Sequence, residues 1–253
     1  MSLSQEKIDQ LDELIRLSLD AAESIWKQAE PQLIVKQFRE ALKSIPSQIP
    51  GYPTVSRLSP RVDLFIAMMA DMRDSTNHLM QAISGRITKV NQLERIFYET
   101  SALLPAMALA ISFEGGSVTE YLGDGVLALF RVAEDPPKET IYAAHRAAKN
   151  CLDETRNLVN EKIGSRYGLP EIDLGVGLAM SKAIITVVGT EEYEQPKAIG
   201  ECVYRATKLS SGRNEILVDQ AVYDSWPSAK NGVLRFRQRQ SQGVNGYMIE
   251  RAN

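Results

Sequence analysis

Two aspartates stand where a carboxylate is costly to keep unless positive charge meets it. Asp71 closes the apolar run 62–70 and leads into Met72, Arg73, Asp74, Ser75 and Thr76, while Asp124 occupies the tight turn Gly123-Asp124-Gly125 between two further apolar runs. A charge at the end of a buried strand needs a partner, and a divalent cation is the cheapest one. Two carboxylates on adjacent strands can bridge two divalent ions about 3.5–4 Å apart, one ion activating an attacking hydroxyl and the other neutralising a triphosphate. Just beyond Asp71, the residues Asp74, Ser75 and Thr76 read as the opening of a helix, whose N–H groups and dipole would face phosphates. Each motif also has a plain structural reading. Asp-Gly is a common hairpin turn and Asp-x-x-Ser/Thr is a helix cap.

The elements that must position these side chains follow from hydrophobic period. A buried strand is expected over 62–71, then a helix opened by residues 74–76, then a long helix over 90–110 that contains Pro105. A hairpin (117–121 and 126–130), a helix over 138–163 and two apolar strands (172–180 and 183–188) come next. Strand, helix, two strands, helix, strand is the order of an α+β, ferredoxin-like βαββαβ sheet with helices on one face. A helix over 200–211 and the runs 215–218, 233–237 and 247–250 would extend it into a larger mixed sheet.

Residues 1–55 read differently. Ile8, Leu11, Ile15, Leu19, Ala22 and Ile25 or Trp26 recur at helical spacing, a second helical pattern spans 33–42, and Pro46, Pro50, Gly51 and Pro53 mark an extended linker. This N-terminal appendage has one apolar face, which either packs on residues 56–253 or pairs with a second chain.

Bulk properties narrow the function classes. The 253 residues are 44% hydrophobic and 24% charged with a net charge of −3, so there is no broad electrostatic footprint for nucleic acid or an anionic membrane. Two cysteines, Cys151 and Cys202, are too few for a disulfide framework or a zinc cluster. No apolar run approaches the roughly 18 residues of a membrane span, and the polar N-terminus gives no signal peptide. A cytoplasmic protein is expected.

Three segments together resemble the class III nucleotide cyclases. The run 70–76 resembles that family's first metal strand and phosphate loop, and 118–130, with Gly-Asp-Gly, its second metal hairpin. Residues 197–209, followed by 215–223, resemble the helix that supplies base-reading and transition-state residues. The resemblance spans residues 62–253. It implies a catalytic domain (56–253) that uses two divalent cations, Mn²⁺ or Mg²⁺, held by Asp71, Asp124 and the backbone carbonyl of Met72. The implied reaction is in-line attack of a ribose 3′-oxygen on the α-phosphate, with Asp74, Ser75 and Thr76 at the β- and γ-phosphates. Asp74 stands where the family usually has glycine, so its carboxylate must point away.

Glu120 and Lys197 fall on the positions that read the base. In the family's adenylate cyclases the first is a lysine donating to adenine N1 and the second accepts from the amino group; here the polarity is reversed. An acceptor at one site and a donor at the other suit a ring N–H and a carbonyl oxygen, the edge of guanine or uracil. The wording of the motifs resembles the stand-alone bacterial pyrimidine cyclases of Pycsar anti-phage systems, which favours UTP, and a cUMP signal, over GTP. The alternative is a plain surface ion pair between the two side chains. The family's transition-state asparagine and arginine fall on Tyr204 and Lys208, with Arg205 beside them. Lysine lacks the bidentate fork. These departures leave open a cyclase-like module that binds nucleotide without turnover. Arg237 and Arg239 are candidates for the triphosphate, or else form a solvated basic edge. The family draws metal residues from one chain and base residues from its partner, so a homodimer is implied.

Overall fold

The computed structural model describes residues 44–75, 78, 90–190, 192–227 and 232–251. The expected N-terminal helices and Thr76 lie outside these residues.

The chain opens with a small two-stranded sheet, β1 (Ser44–Pro46) against β2 (Thr54–Ser56). The linker expected over Pro46–Pro53 is instead this hairpin, because Ile49 and Val55 are each only 3% exposed and anchor it on the body. Prolines that break a central ladder are compatible with a short edge pair.

The body is an eight-stranded mixed sheet. Strand β3 (Arg61–Met72) lies between β5 (Gly125–Arg131) and β6 (Leu174–Val188); β4 (Ser117–Leu122) flanks β5, and β6 continues through β8 (Glu215–Val218) and β10 (Val244–Arg251) to β9 (Leu234–Ser241) at the far edge. Only β6 and β8 run parallel; the other pairs are antiparallel. The α+β class and the expected strand order are as observed.

Helices α1 (Gln92–Ser112), α2 (Lys138–Asn150) and α3 (Arg156–Tyr167) cover one face, α2 and α3 being joined by a π-helical turn at Cys151–Thr155. Asn91 and Glu94 cap α1 reciprocally, and Pro105 is accommodated inside it. Helix α4 (Glu201–Leu209) covers the opposite face with the β1–β2 hairpin, and α5 (Gln220–Asp224) follows β8. The central strands are therefore buried on both sides: Ile66, Met68 and Ala70 enter one core, Phe65, Ala67 and Met69 the other. Helices on one face alone was the wrong expectation, because near-continuous apolar strands signal two covered faces.

Two further expectations change. The runs 172–180 and 183–188 form one 15-residue strand; Ser181 and Lys182 are polar without being a turn, and the Ser181 hydroxyl accepts from the Cys202 N–H at the start of α4. Lys197 lies on a strand, β7 (Gln195–Gly200), that pairs with the outer half of β6, not on the helix that follows. Helix α4 crosses β6 closely because Gly175 and Gly177 have no side chain: a Cβ at Gly177 would lie 2.1 Å from the Ala206 carbonyl oxygen.

Candidate active site

Strand register brings the two aspartates together. Asp71, the penultimate residue of β3, pairs with Gly125, the first of β5, so Asp124 lies at the adjoining hairpin tip. The Met72 N–H donates to the Asp124 carbonyl at 3.3 Å, tying the tip to the end of β3. Gly123 takes φ +69° at the first loop position, as a two-residue hairpin with a primed turn requires. Gly125 is needed for room, since a Cβ there would meet the Asp71 Oδ1 at 2.7 Å.

The electrostatics of this corner are unbalanced. Burial, together with the charge of Asp124, pushes the Asp71 carboxyl up to about 6, against the opposing pull of the Arg73 guanidinium. Arg73 donates to the Asp71 carboxylate and, at 3.3 Å, to the Asp71 carbonyl. Among the described residues no cation pairs with Asp124. One arginine thus meets Asp71 alone, and the unmet charge of the pair suits a divalent ion. Among the described residues no set of three His, Cys, Asp or Glu side chains gathers. A Mg²⁺- or Mn²⁺-type ion fits that donor set, because such ions take one or two carboxylates and complete their shell with waters and phosphate oxygens.

Behind the corner, the turn after β3 is pinned by a polar web. Asp74 adopts the left-handed conformation (φ +60°), which explains why a glycine would suit the position. Its carboxylate pairs with Arg213, which also pairs with Asp173; the Arg73 N–H donates to the Asp173 carbonyl at 2.8 Å, and Arg156 reaches the Asp173 carboxylate. Ser75 begins the helical turn marked by the His78 N–H donating to the Asp74 carbonyl. Arg73, Arg213 and Asp173 were not singled out from the sequence. A basic residue two positions after Asp71 was visible; its pairing depended on the turn.

Glu120, on β4, and Lys197, on β7, meet directly, with Nζ 2.5 Å from Oε2 and both side chains about three-quarters buried. They are remote in sequence, and the fold alone joins them. On α4, Tyr204 is 60% exposed, and the Lys208 ammonium stands 5.8 Å from its ring centroid. Arg205 is engaged elsewhere, with Glu201 at 3.2 Å and with Asp219, fully buried, at 3.5 Å. Burial raises the Asp219 carboxyl above its usual value, and its Oδ1 caps α5 through the Val222 N–H and accepts from the Met180 N–H. No hydrogen bond or ion pair joins Glu120, Lys197, Tyr204 or Lys208 to Asp71 or Asp124 within the described residues. Arg237 and Arg239 lie on β9, four strands from β3, or roughly 19 Å at the usual spacing. Each is paired across strands, with Glu250 and Glu215 respectively.

Solved structures superpose on this fold. The adenylyl cyclase CyaB from P. aeruginosa superposes with a TM-score of 0.62 at 16% identity, covering 78% of this chain and 98% of that one. The guanylyl cyclase Cya2 gives 0.59 at 18%, covering 76% and 94%. The guanylate cyclase domain of RhGC from Catenaria anguillulae, solved with GTP, gives 0.57 at 14%, covering 76% and 100%. The fold is that of a nucleotide cyclase catalytic domain.

Sequence relatives point the same way over shorter stretches. The terminal-differentiation-specific adenylate cyclase of Dictyostelium discoideum is 30% identical over 99 residues, and the adenylate cyclase of Anabaena cylindrica 27% identical over 114. These matches cover 39% and 45% of this chain, and the chain spans 4% and 22% of those relatives. No family model matches the chain. Among the described residues no helix is long and apolar enough to cross a membrane.

Proposed function

We propose that this protein is a nucleotide cyclase that converts a nucleoside triphosphate to its 3′,5′-cyclic monophosphate and pyrophosphate. The observation that carries the reading is Asp71 beside Asp124 at one corner of a cyclase-type sheet, with negative charge that one arginine does not balance. Asp71, Asp124 and the Met72 carbonyl would hold two divalent cations, which supply activation of the 3′-hydroxyl and neutralisation of the triphosphate. The chain's own groups orient the substrate. Backbone N–H groups at the turn of Asp74 and Ser75 face the phosphates, and the Asp74 carboxylate is kept away by Arg213.

Among the described residues of one chain, no hydrogen bond or ion pair joins the base-reading pair or α4 to the metal corner. A two-fold dimer that sets one chain's Asp71 and Asp124 against its partner's base-reading pair and α4 would complete two sites, with Tyr204 packing on the ribose and Lys208 aimed at the phosphoryl oxygens.

Glu120 and Lys197 support a keto base. A base that enters between them must replace their mutual contact with a ring N–H to Glu120 and a carbonyl oxygen to Lys197, and adenine offers neither in that pose. UTP is the substrate we favour, with cUMP as an anti-phage signal in the cytoplasm. GTP is the second reading, favoured by the guanylyl cyclases among the structural neighbours. Purified protein with Mn²⁺ or Mg²⁺ and each of the four triphosphates decides the matter by product identity: cUMP or cGMP supports the reading, cAMP alone overturns the base assignment, and no cyclic product with any of them overturns the activity.

A further inference from the structure

Among the described residues Arg73 is the cation engaged with Asp71, held on both its carboxylate and its backbone carbonyl, while Asp124 beside it has no cationic partner. The Arg73 side chain is 16% exposed and that of Asp71 25%. A guanidinium and a divalent ion cannot both occupy the Asp71 carboxylate at close range without mutual repulsion, which strengthens as water is excluded. The nearby acids offer no alternative berth. Asp74 is taken by Arg213, and Asp173 by Arg156, Arg213 and Asn214. Once displaced, the guanidinium stays tethered to a fixed stretch of main chain, because the Arg73 backbone N–H donates to the Asp173 carbonyl, beside the turn of Asp74 and Ser75. A polyphosphate is the anion that would satisfy it, through the bidentate contacts arginine makes with phosphate.

We propose that Arg73 is an exchanging counter-ion: it occupies Asp71 until a divalent cation takes the carboxylate, and it then binds the triphosphate. The proposal rests on the cyclase reading and deepens it by coupling cation loading to arrival of the polyphosphate. Its signature is a pair of opposite effects from one substitution. Calorimetric titration of the full chain with Mn²⁺ alone, and separately of the Mn²⁺-saturated chain with the Mn²⁺ complex of inorganic tripolyphosphate, reads both. In Arg73→Gln and Arg73→Met, Mn²⁺ should bind about tenfold more tightly than in wild type, and tripolyphosphate about tenfold more weakly. Adding Asp71→Asn to Arg73→Gln should abolish the gain for Mn²⁺, which shows that it runs through that carboxylate. Arg73→Lys should lie between.

Mn²⁺ affinity that is unchanged or weaker in both uncharged variants overturns the proposal, as does a shift of both ligands in the same direction, the result expected of a merely structural arginine. The two readings fail separately. If the four triphosphates yield no cyclic product but the opposite shifts are seen, the exchange stands and the cyclase activity falls; if product forms without those shifts, the reverse holds.

Discussion

The β3–β5 corner and the β9 edge hold similar numbers of charged side chains and use them in opposite ways. At the edge, Arg237 meets Glu250 and Arg239 meets Glu215, so each of these four charges has its counter-charge, and the side chains are between 27% and 65% exposed. At the corner, Asp71 and Asp124 lie side by side in a partly buried place, and the single arginine there pairs with Asp71 alone. Exposed, matched pairs cost the fold little and contribute little. Unmatched buried charge is retained against its cost, and such sites are where ligands or chemistry supply the missing partner.

The comparison can be broken by mutation. Asp71→Ala and Asp124→Ala should each abolish cyclic nucleotide formation, by about a thousandfold or more, while the far-ultraviolet circular dichroism stays native; activity retained within tenfold would remove the corner from the chemistry. Exchanging the base-reading pair, Glu120→Lys with Lys197→Glu, keeps the ion pair but reverses its polarity. Turnover of the keto-base triphosphate should fall by at least about a hundredfold relative to ATP, read as product ratios by mass spectrometry; an unchanged ratio would make the pair structural.

A buried group outside the corner gives a control for what burial alone does. His145 packs edge-on against Trp226, and burial, with Lys149 and Arg146 nearby, pulls its imidazole from 6.5 down to about 4. Between those values the unfolded chain carries a proton that the folded one does not, so stability is complete above about pH 6.5 and is lost as pH falls towards 4, by up to about 3 kcal/mol. Urea midpoints measured across that range should drop for wild type and flatten for His145→Gln.

Smaller effects separate the turn from the edge. Arg213→Ala releases the Asp74 carboxylate at the phosphate turn and should raise KM for the triphosphate about threefold to tenfold with kcat nearly constant; Asp74→Gly in the same chain should restore KM, since glycine takes the left-handed turn without a charge. Arg237→Ala with Arg239→Ala should change activity less than about twofold and stability less than about 1 kcal/mol. A hundredfold loss there would return the two arginines to the triphosphate.

Much of the corner was legible. Asp71 ends an apolar run and Asp124 sits between two others, so hydrophobic period alone places both at strand ends. The long strand β6 was read as two because Ser181 and Lys182 resemble a turn; a polar pair can lie in a ladder when one side chain caps a neighbouring helix and the other reaches water. The hairpin at Ser44–Ser56 was hidden because its prolines outweigh two small apolar anchors whose burial is visible only in three dimensions. Arg205 illustrates the same limit from the other side. Its position beside Tyr204 suggested chemistry, whereas a buried carboxylate 14 residues further on claims it.

The central order of strands and helices and the two carboxylates at strand ends were determined by the sequence, because local period and turn chemistry act over a few residues. Which charges find partners was decided only by the tertiary structure. Lys197 reaches Glu120 across 77 positions, Arg213 reaches Asp74 across 139, and Arg73 turns back on Asp71. Electrostatic pairing depends on distance in space and on exclusion of water, and neither is a property of spacing along the chain.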